Sequence, residues 1–528
     1  MKRLLFVFAI LYLPVQCQEK YLVFFSDKNG STFNPYTYFD SKAIERRIKH
    51  GINLYDSTDF PINQNYVAKT QNSVDSIGKQ LRWFNAVTVF ANTNQIDEVK
   101  KFSFVREVVS IHTQAQLSTV EESYNTVLKV EHEKILQRQL NRMQGDLFIN
   151  SNNTGKGIRI AVFDAGFPTV DTNPCFEHIR KRGGFIKTYD FVKNRDFVYS
   201  YNQHGTMVLS CIAGKSNTKY IGLATEAEFL LARTEYGHRE PFSEEENWLA
   251  AVEWADKNGA DIINSSLGYT NKRYFTTEMD GHTSLVSKAA NLAVKKGILV
   301  VNAVGNEGSD NWKTIITPSD ADSVLAVGGI DPDTDYRISF SSFGPNSEKK
   351  IKPNVCALGK VIAAGKKGLE VTQGTSFASP LIAGFAACVL SMNKNFTAMQ
   401  LFDTVQKSGD LYPYFDYAHG YGVPQAEKFM QKSNTPLPTE SFELIENNGV
   451  LEVTVNDSYV NTTNESRKEN SYQNHLFYHI ENKAGYLSKY YLIKVSSKQP
   501  VRLVISDFEV GTTLRFHYQK HTITYTIK

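Results

Sequence analysis

From residue 157 onward the chain repeats one pattern: a short, almost uncharged apolar run, then a stretch of helical spacing. Residues 157–163 (Gly-Ile-Arg-Ile-Ala-Val-Phe) form the first run. Residues 286–296 have helical periodicity, residues 297–301 follow them as a second run, and residues 324–328 form another. Strands that read as continuous apolar stretches have both faces covered, as in a parallel sheet. Their alternation with helical windows predicts βαβ units. The expected fold of this part is α/β, a doubly wound parallel sheet in an α/β/α arrangement. Open sheets of this kind place their sites outside the carboxyl ends of the strands.

The rest of the 528 residues is arranged around this body. About 150 residues per domain allows two to four domains. Residues 1–18 carry Lys2 and Arg3, an apolar run from Leu4 to Leu13, then Pro14, Val15, Gln16 and Cys17. A charged start and a run shorter than the ~20 residues of a membrane span predict a cleaved signal peptide. A short anchor helix and lipidation at Cys17 are the alternatives. No other segment reads as long and apolar enough to span a bilayer. Residues 19–113 predict a small α+β unit, with strands at 21–25, 83–90 and 105–111 and helices at 41–48 and 94–101. Ser41 is the expected cap of the first helix. Residues 114–148 are polar and predict a linker followed by a helix. The body covers 149–433 and ends at an Asn-Thr-Pro-Leu-Pro-Thr stretch. Residues 434–528 have alternating runs at 450–455, 490–495, 501–505 and 522–527, which predict an all-β, sandwich-like module.

Composition removes several classes. The 58 Lys+Arg against 55 Asp+Glu leave a net charge of +3, which excludes a strongly basic nucleic-acid binder and an acidic tail protein. With 33 Phe and 27 Tyr against 16 Pro, disorder is not the dominant state. Five Cys are too few for a disulfide-built scaffold.

Three stretches carry chemistry. The 158–163 strand ends in Asp164-Ala-Gly-Phe-Pro168. Gln203-His204-Gly205-Thr206 opens an apolar helical run. Gly374-Thr-Ser376-Phe-Ala-Ser-Pro380 leads into an apolar helix. Singly, Asp164 reads as a turn residue, His204 as a surface or capping residue and Ser376 as an N-cap. In this order they resemble the subtilisin-like serine proteases, the subtilases. Residues 300–308 (Val-Val-Asn-Ala-Val-Gly-Asn-Glu-Gly) resemble that family's oxyanion-hole segment, and residues 264–268 (Asn-Ser-Ser-Leu-Gly) its substrate-binding strand. The resemblance covers roughly residues 150–432.

The resemblance implies a secreted serine endopeptidase that works through an acyl-enzyme, with Ser376 as nucleophile, His204 as base and Asp164 as its orienting carboxylate. Elementary chemistry agrees: a Ser hydroxyl needs a base within hydrogen-bond reach, and His titrates near neutrality. Asn306 would donate to the oxyanion. Ser265, Leu267, Gly268, Ala303 and Gly305 would bind substrate as an added strand. Val304 stands where the family carries a smaller residue, and residues 309–316 depart from it in length and composition. No acidic cluster marks a dibasic-specific pocket. A lipase would show Gly-x-Ser-x-Gly with Ser first, and the acid-acting relatives replace the His and the oxyanion Asn. An inactive protease acting as a binding scaffold is the non-enzymatic alternative. Residues 19–113 resemble the family's propeptide inhibitor, which the enzyme itself would cut off within residues 112–125.

Protein substrates and its own propeptide are therefore the expected partners, with no nucleic acid, and a monomer is expected. No cofactor is required for the chemistry. Structural calcium is compatible with the family, with Asp171, Asp190 and Asp196 as contributors to weigh, and no metal residue is assigned. Cys211 and Cys388 are expected as buried thiols, and a Cys175–Cys211 disulfide is the alternative for that pair. Sequons at Asn461 and Asn464 matter only in a glycosylating host.

Overall fold

Seven parallel strands form the sheet that the apolar runs predict. Their order is Val355–Leu358, Leu325–Ile330, Leu299–Ala303, Ile262–Ser265, Arg159–Asp164, Glu228–Arg233 and Phe185–Asp190. Five of these strands are buried at every position. The computed structural model describes residues 19–111, 130–236, 243–270, 273–430, 440–460, 474–496 and 498–528. The expected signal peptide, cleavage region and 434–439 linker lie outside the described residues. Later strands add on one side of Arg159–Asp164, while Glu228–Arg233 and Phe185–Asp190 lie on the other. The connections reverse direction at that strand, which opens a crevice at its carboxyl end, where Asp164 is the last residue.

Two helices of the body are buried over most of their length. All ten residues of His204–Ala213 are buried, as are residues 375–390 of Thr375–Met392. A helix that is apolar on all sides belongs in a core. Thr375–Met392 is long and apolar enough to cross a membrane, yet 89% of it is buried inside the protein, so it is a core helix. The two helices pack so closely that a Cβ at Gly384 would lie 2.8 Å from the Ile212 carbonyl. The helix Val130–Asn141 joins the same core through Leu136 and Leu140. Its buried Gln139 is satisfied by the Ile221 carbonyl at 2.8 Å and the Ile362 N–H at 2.9 Å. Cys175, Cys211, Cys356 and Cys388 are buried free thiols, so the disulfide alternative is set aside.

Residues 19–34 and 55–111 form a separate unit. It is an antiparallel sheet in the order Ser76–Leu81, Ala86–Ala91, Glu19–Phe25, Val105–Ile111, with a core that includes Val23, Phe25, Val67, Val87 and Ile96. Residues 35–54 belong by packing to the larger unit. Their helix Ser41–Lys49 is capped by Asp40 rather than Ser41: Asp40 has extended backbone and its carboxylate accepts the Lys42 N–H at 3.0 Å. In the C-terminal part, a sheet of Phe442–Asn447, Val450–Val455 and Val501–Val504 shares one core with a second sheet of Leu487–Lys494, His475–Glu481, Thr513–Tyr518 and His521–Thr526. Leu451 and Val453 from the first meet Leu476, Leu514 and Phe516 from the second.

Candidate active site

Asp164 is fully buried at the end of its strand. Its carboxylate oxygens lie 2.8 and 3.0 Å from His204 Nδ1, and Oδ1 also accepts the Ala165 N–H at 2.7 Å. His204 is the first residue of its helix, and its N–H donates to Asn202 Oδ1 at 3.0 Å. The next residue explains the Gly of the His-Gly-Thr stretch. A Cβ at Gly205 would lie 2.3 Å from the Gly166 carbonyl and 2.8 Å from Asp164 Cβ. Only glycine lets this helix approach the strand end closely enough for the Asp–His contact. Thr206 then donates to the Pro168 carbonyl at 2.7 Å, tying the two segments together.

Ser376 enters from the other helix. Gly374, at φ 146, turns the chain sharply before Thr375 starts the helix. The N–H groups of a helix's first turn have no partner within it, and Ser376 N–H is one of them. Pro380 lies one turn on and has no N–H, so the Ser376 carbonyl loses its ordinary helical donor. The Ser266 hydroxyl replaces it at 2.8 Å. Asn264 Nδ2 donates to Ser266 Oγ at 3.1 Å, and Ser379 Oγ to Asn264 Oδ1 at 3.0 Å, so the exchange is fixed from below. Ser376 Oγ donates to the Ser266 carbonyl at 3.2 Å. The His204 ring lies 5.4 Å from the ring of Phe377, the residue after Ser376.

Asn306 follows the strand Leu299–Ala303 and the turn at Gly305. Its Oδ1 accepts the Thr375 N–H at 2.8 Å and lies 3.0 Å from the Thr375 hydroxyl. This fixes which end of the amide faces the Thr375 helix start and turns Nδ2 the other way. Glu307 comes next. Burial pushes its carboxyl up to about 7, against the hydrogen bond from Ser342 Oγ at 3.0 Å.

The expected substrate contacts divide. Ser265 is the last residue of an interior strand, paired with Asn302 on one side and Phe163 on the other. Its hydroxyl accepts the Trp248 indole N–H at 3.1 Å. Neither its backbone nor its side chain has an edge to offer, so the structure removes it as a strand-addition contact. Leu267 and Gly268 lie beyond the strand, and Asn302 Nδ2 reaches the Leu267 carbonyl at 3.0 Å and the Ala303 carbonyl at 2.8 Å. That side chain holds the two candidate segments, 267–268 and 303–305, at a fixed distance. Val304 points into a small core with Ile315 and Ala326.

Sequence reasoning misses a buried acidic group. Glu244, Glu245 and Glu246 open the helix Ser243–Lys257 and are almost wholly buried. Glu245 pairs with Arg273 at 2.6 Å and accepts from Tyr274 at 2.7 Å. Among the calcium contributors, Asp190 spends its carboxylate on Arg233 at 3.0 Å and on the Val192 and Lys193 amides. It does not fit a calcium ligand, while Asp171 and Asp196 are exposed loop residues. His282, Asp322 and Glu348 cluster at the surface, but Lys350 Nζ lies 2.6 Å from Asp322 and 2.7 Å from Glu348 and supplies the cation itself. A second buried Asp–His pair, Asp416 and His419, has both ring nitrogens engaged: Nδ1 lies 3.1 Å from Asp416, and Nε2 accepts the Arg337 N–H at 3.1 Å. It holds structure; an Asp–His contact alone makes no site.

Comparison with known proteins bears on the whole arrangement. A family model described as "Subtilase family" matches residues 155–422. A second, "Peptidase S8 propeptide domain, Bacteroidota", matches residues 20–127. The chain is 32% identical over 252 residues to the "Thermophilic serine proteinase" of Bacillus sp. (strain AK1), covering 47% of this chain and 58% of that protein. It is 29% identical over 295 residues to "Subtilisin-like protease SBT6.1" of Arabidopsis thaliana, covering 54% and 26%. It is 31% identical over 265 residues to "Subtilisin DY" of Bacillus licheniformis, covering 49% and 88%. The match thus spans little more than half of the first of these relatives and about a quarter of the second.

Proposed function

The chain belongs to the subtilase family, and on that footing we propose that it is a secreted serine endopeptidase, made as a zymogen that removes its own N-terminal region. The observation that carries the reading is the Asp164–His204 contact of 2.8 Å beside the helix that bears Ser376. In the proposed reaction Ser376 Oγ rotates from the Ser266 carbonyl toward His204 and attacks the scissile carbonyl. Nε2 of His204 takes the proton, and Asp164 holds Nδ1–H and balances the imidazolium. Asn306 Nδ2 and the Ser376 N–H hold the oxyanion, aided by the positive end of the Thr375–Met392 helix. His204 then returns the proton to the leaving amine, and water releases the acyl group by the reverse sequence. Every role is filled by a residue of the chain, so no cofactor takes part. Substrate binds as an extended strand along 267–268 and 303–305, which reads backbone before side chains.

Processing follows from the same site. Residues 20–127 match a propeptide model, which ends just beyond residues 112–125, the window in which we propose the cut. The mature enzyme is proposed to act as a monomer. A sulfonyl fluoride should abolish casein hydrolysis and leave its adduct on the peptide containing Ser376, while phenanthroline should not. Full activity after the sulfonyl fluoride, with loss under phenanthroline, would overturn the serine mechanism. Ser376→Ala, made without other proteases, should fold and keep its N-terminal region covalently attached, as read by gel and N-terminal sequencing. A variant shortened like the wild type would mean that another protease makes the cut.

A further inference from the structure

Residues 35–54 seat on the larger unit at a place the chemistry does not use. Asp256, in the last turn of Ser243–Lys257, is 1% exposed, and both its carboxylate oxygens are taken by this segment: Oδ1 by Arg46 and Oδ2 by Arg47. Arg46 also donates to the Lys296 carbonyl at 3.1 Å and to the Ala260 carbonyl. Lys296 caps the carboxyl end of the helix Leu285–Lys295, where the helix dipole favours a cation, and Ala260 lies three residues beyond the helix Ser243–Lys257. Arg47 is fully buried, with its guanidinium 4.2 Å from the Phe39 ring. The charges also run the other way. Arg159 of the body donates to Asp40 at 3.1 Å, and Lys42 reaches Asp261 at 3.0 Å and the Gly157 carbonyl at 2.6 Å.

Every body residue in this set apart from Asp256 and Arg159 comes just before a sheet strand: Gly157 before Arg159–Asp164, Ala260 and Asp261 before Ile262–Ser265, Lys296 before Leu299–Ala303. Asp256 closes the helix that leads into the second of these, and Arg159 begins the first. The contacts therefore lie at the amino edge of the sheet, opposite the edge where Asp164 ends its strand. A peptide bond cut at the carboxyl edge removes none of them.

We propose that the helix Ser41–Lys49 is a latch, with Arg46 and Arg47 as its bolt and Asp256 as its socket, that keeps the N-terminal piece bound after the chain is cut. The proposal rests on the zymogen reading and adds to it that the lifetime of the cut complex is set by a site remote from the triad. Removing one member of a buried, hydrogen-bonded charge pair strands the other, and the loss falls on the dissociation rate.

The test supplies the cut from outside. In full-length Ser376→Ala carrying a site-specific protease sequence within residues 112–125, the added protease severs the chain. Departure of the N-terminal piece is then followed by size-exclusion chromatography. The piece should co-elute in the parent and leave about a hundredfold faster or more when Asp256→Asn is added. Arg46→Gln with Arg47→Gln, which leaves the body untouched, should give the same acceleration and stands in if Asp256→Asn does not fold. Arg46→Lys with Arg47→Lys should recover part of the lifetime. Lifetimes equal in the parent and the double glutamine variant would overturn the latch. A wild-type chain that fails to shorten itself would refute self-processing alone, because the lifetime comparison does not depend on it.

Discussion

Gly205→Ala isolates the one approach on which the Asp164–His204 contact depends. An alanine Cβ there would lie 2.3 Å from the Gly166 carbonyl, 2.8 Å from Asp164 Cβ and 2.9 Å from Phe167 Cε1. The first is about 1 Å short of an ordinary contact, and its partner is backbone, so the helix start must withdraw by about that much. A 2.8 Å hydrogen bond stretched by about 1 Å is no longer one. Misplacing a catalytic group by about 1 Å costs on the order of 10² in rate. Losing the orientation that the carboxylate gives costs up to about 10⁴. We expect kcat/KM on a peptide anilide to fall by about 10²–10⁴, most of it in kcat. Overpacking should lower stability by about 1–3 kcal/mol. Alanine is the better helix former by about 1 kcal/mol, so helix propensity works against the expected loss. A Gly205→Ala enzyme with wild-type kcat would refute the argument that glycine is there to admit the helix.

Asn306→Leu should keep the fold and substrate binding and lower turnover by about 10²–10³, the effect of losing the corresponding asparagine in subtilisin; unchanged turnover would remove Asn306 from the oxyanion site. Ser266→Ala should cost about 1–3 kcal/mol by stranding the Ser376 carbonyl, and Ser266→Ala with Pro380→Ala should recover part of it, because residue 380 then has an N–H; denaturant unfolding of wild type and the two variants decides. Glu307, pushed up to about 7 from 4.5 by burial, ionises less readily folded than unfolded, so its drag on stability is absent below about pH 4.5, grows through about pH 7 and then levels near about 3 kcal/mol. Glu307→Gln can still accept from Ser342, and its stability advantage over wild type should widen between about pH 5 and about pH 8; a gap independent of pH would refute the assignment.

Much of the site can be read from sequence because its chemistry fixes residue types next to one another. The Asp at a strand end, the His-Gly-Thr stretch and the Gly-Thr-Ser stretch each announce a local turn and a helix start, and the structure places all three at one edge. Ser265 is misassigned because sequence does not say where a strand stops: its position one residue inside the sheet gives its hydroxyl to Trp248. The strand Ser76–Leu81 escapes a sequence reading because its residues, Ser-Ile-Gly-Lys-Gln-Leu, lack β-branched and aromatic weight, and its pairing with Ala86–Ala91 supplies what propensity does not. Trp83, expected in a strand, lies instead in the turn between those two strands, its indole donating to Asp59 at 3.2 Å. The helix at 41–48 is legible from periodicity, but its role is not. Arg46 and Asp256 are 210 residues apart, and nothing local to either announces the other.

The four described cysteines bear on how the fold meets a change of redox medium. Burial pushes the Cys211 thiol up to about 12 and raises those of Cys175, Cys356 and Cys388 as well, and none is joined to another. A thiol reacts as its thiolate, so burial makes all four less reactive than an exposed cysteine. Among the described residues there is no disulfide, so this part of the fold asks neither for an oxidant to complete it nor for a reductant to release it. In the zymogen proposed above, the timing of activation is then a matter of contacts between the chain's own pieces and not of these four thiols.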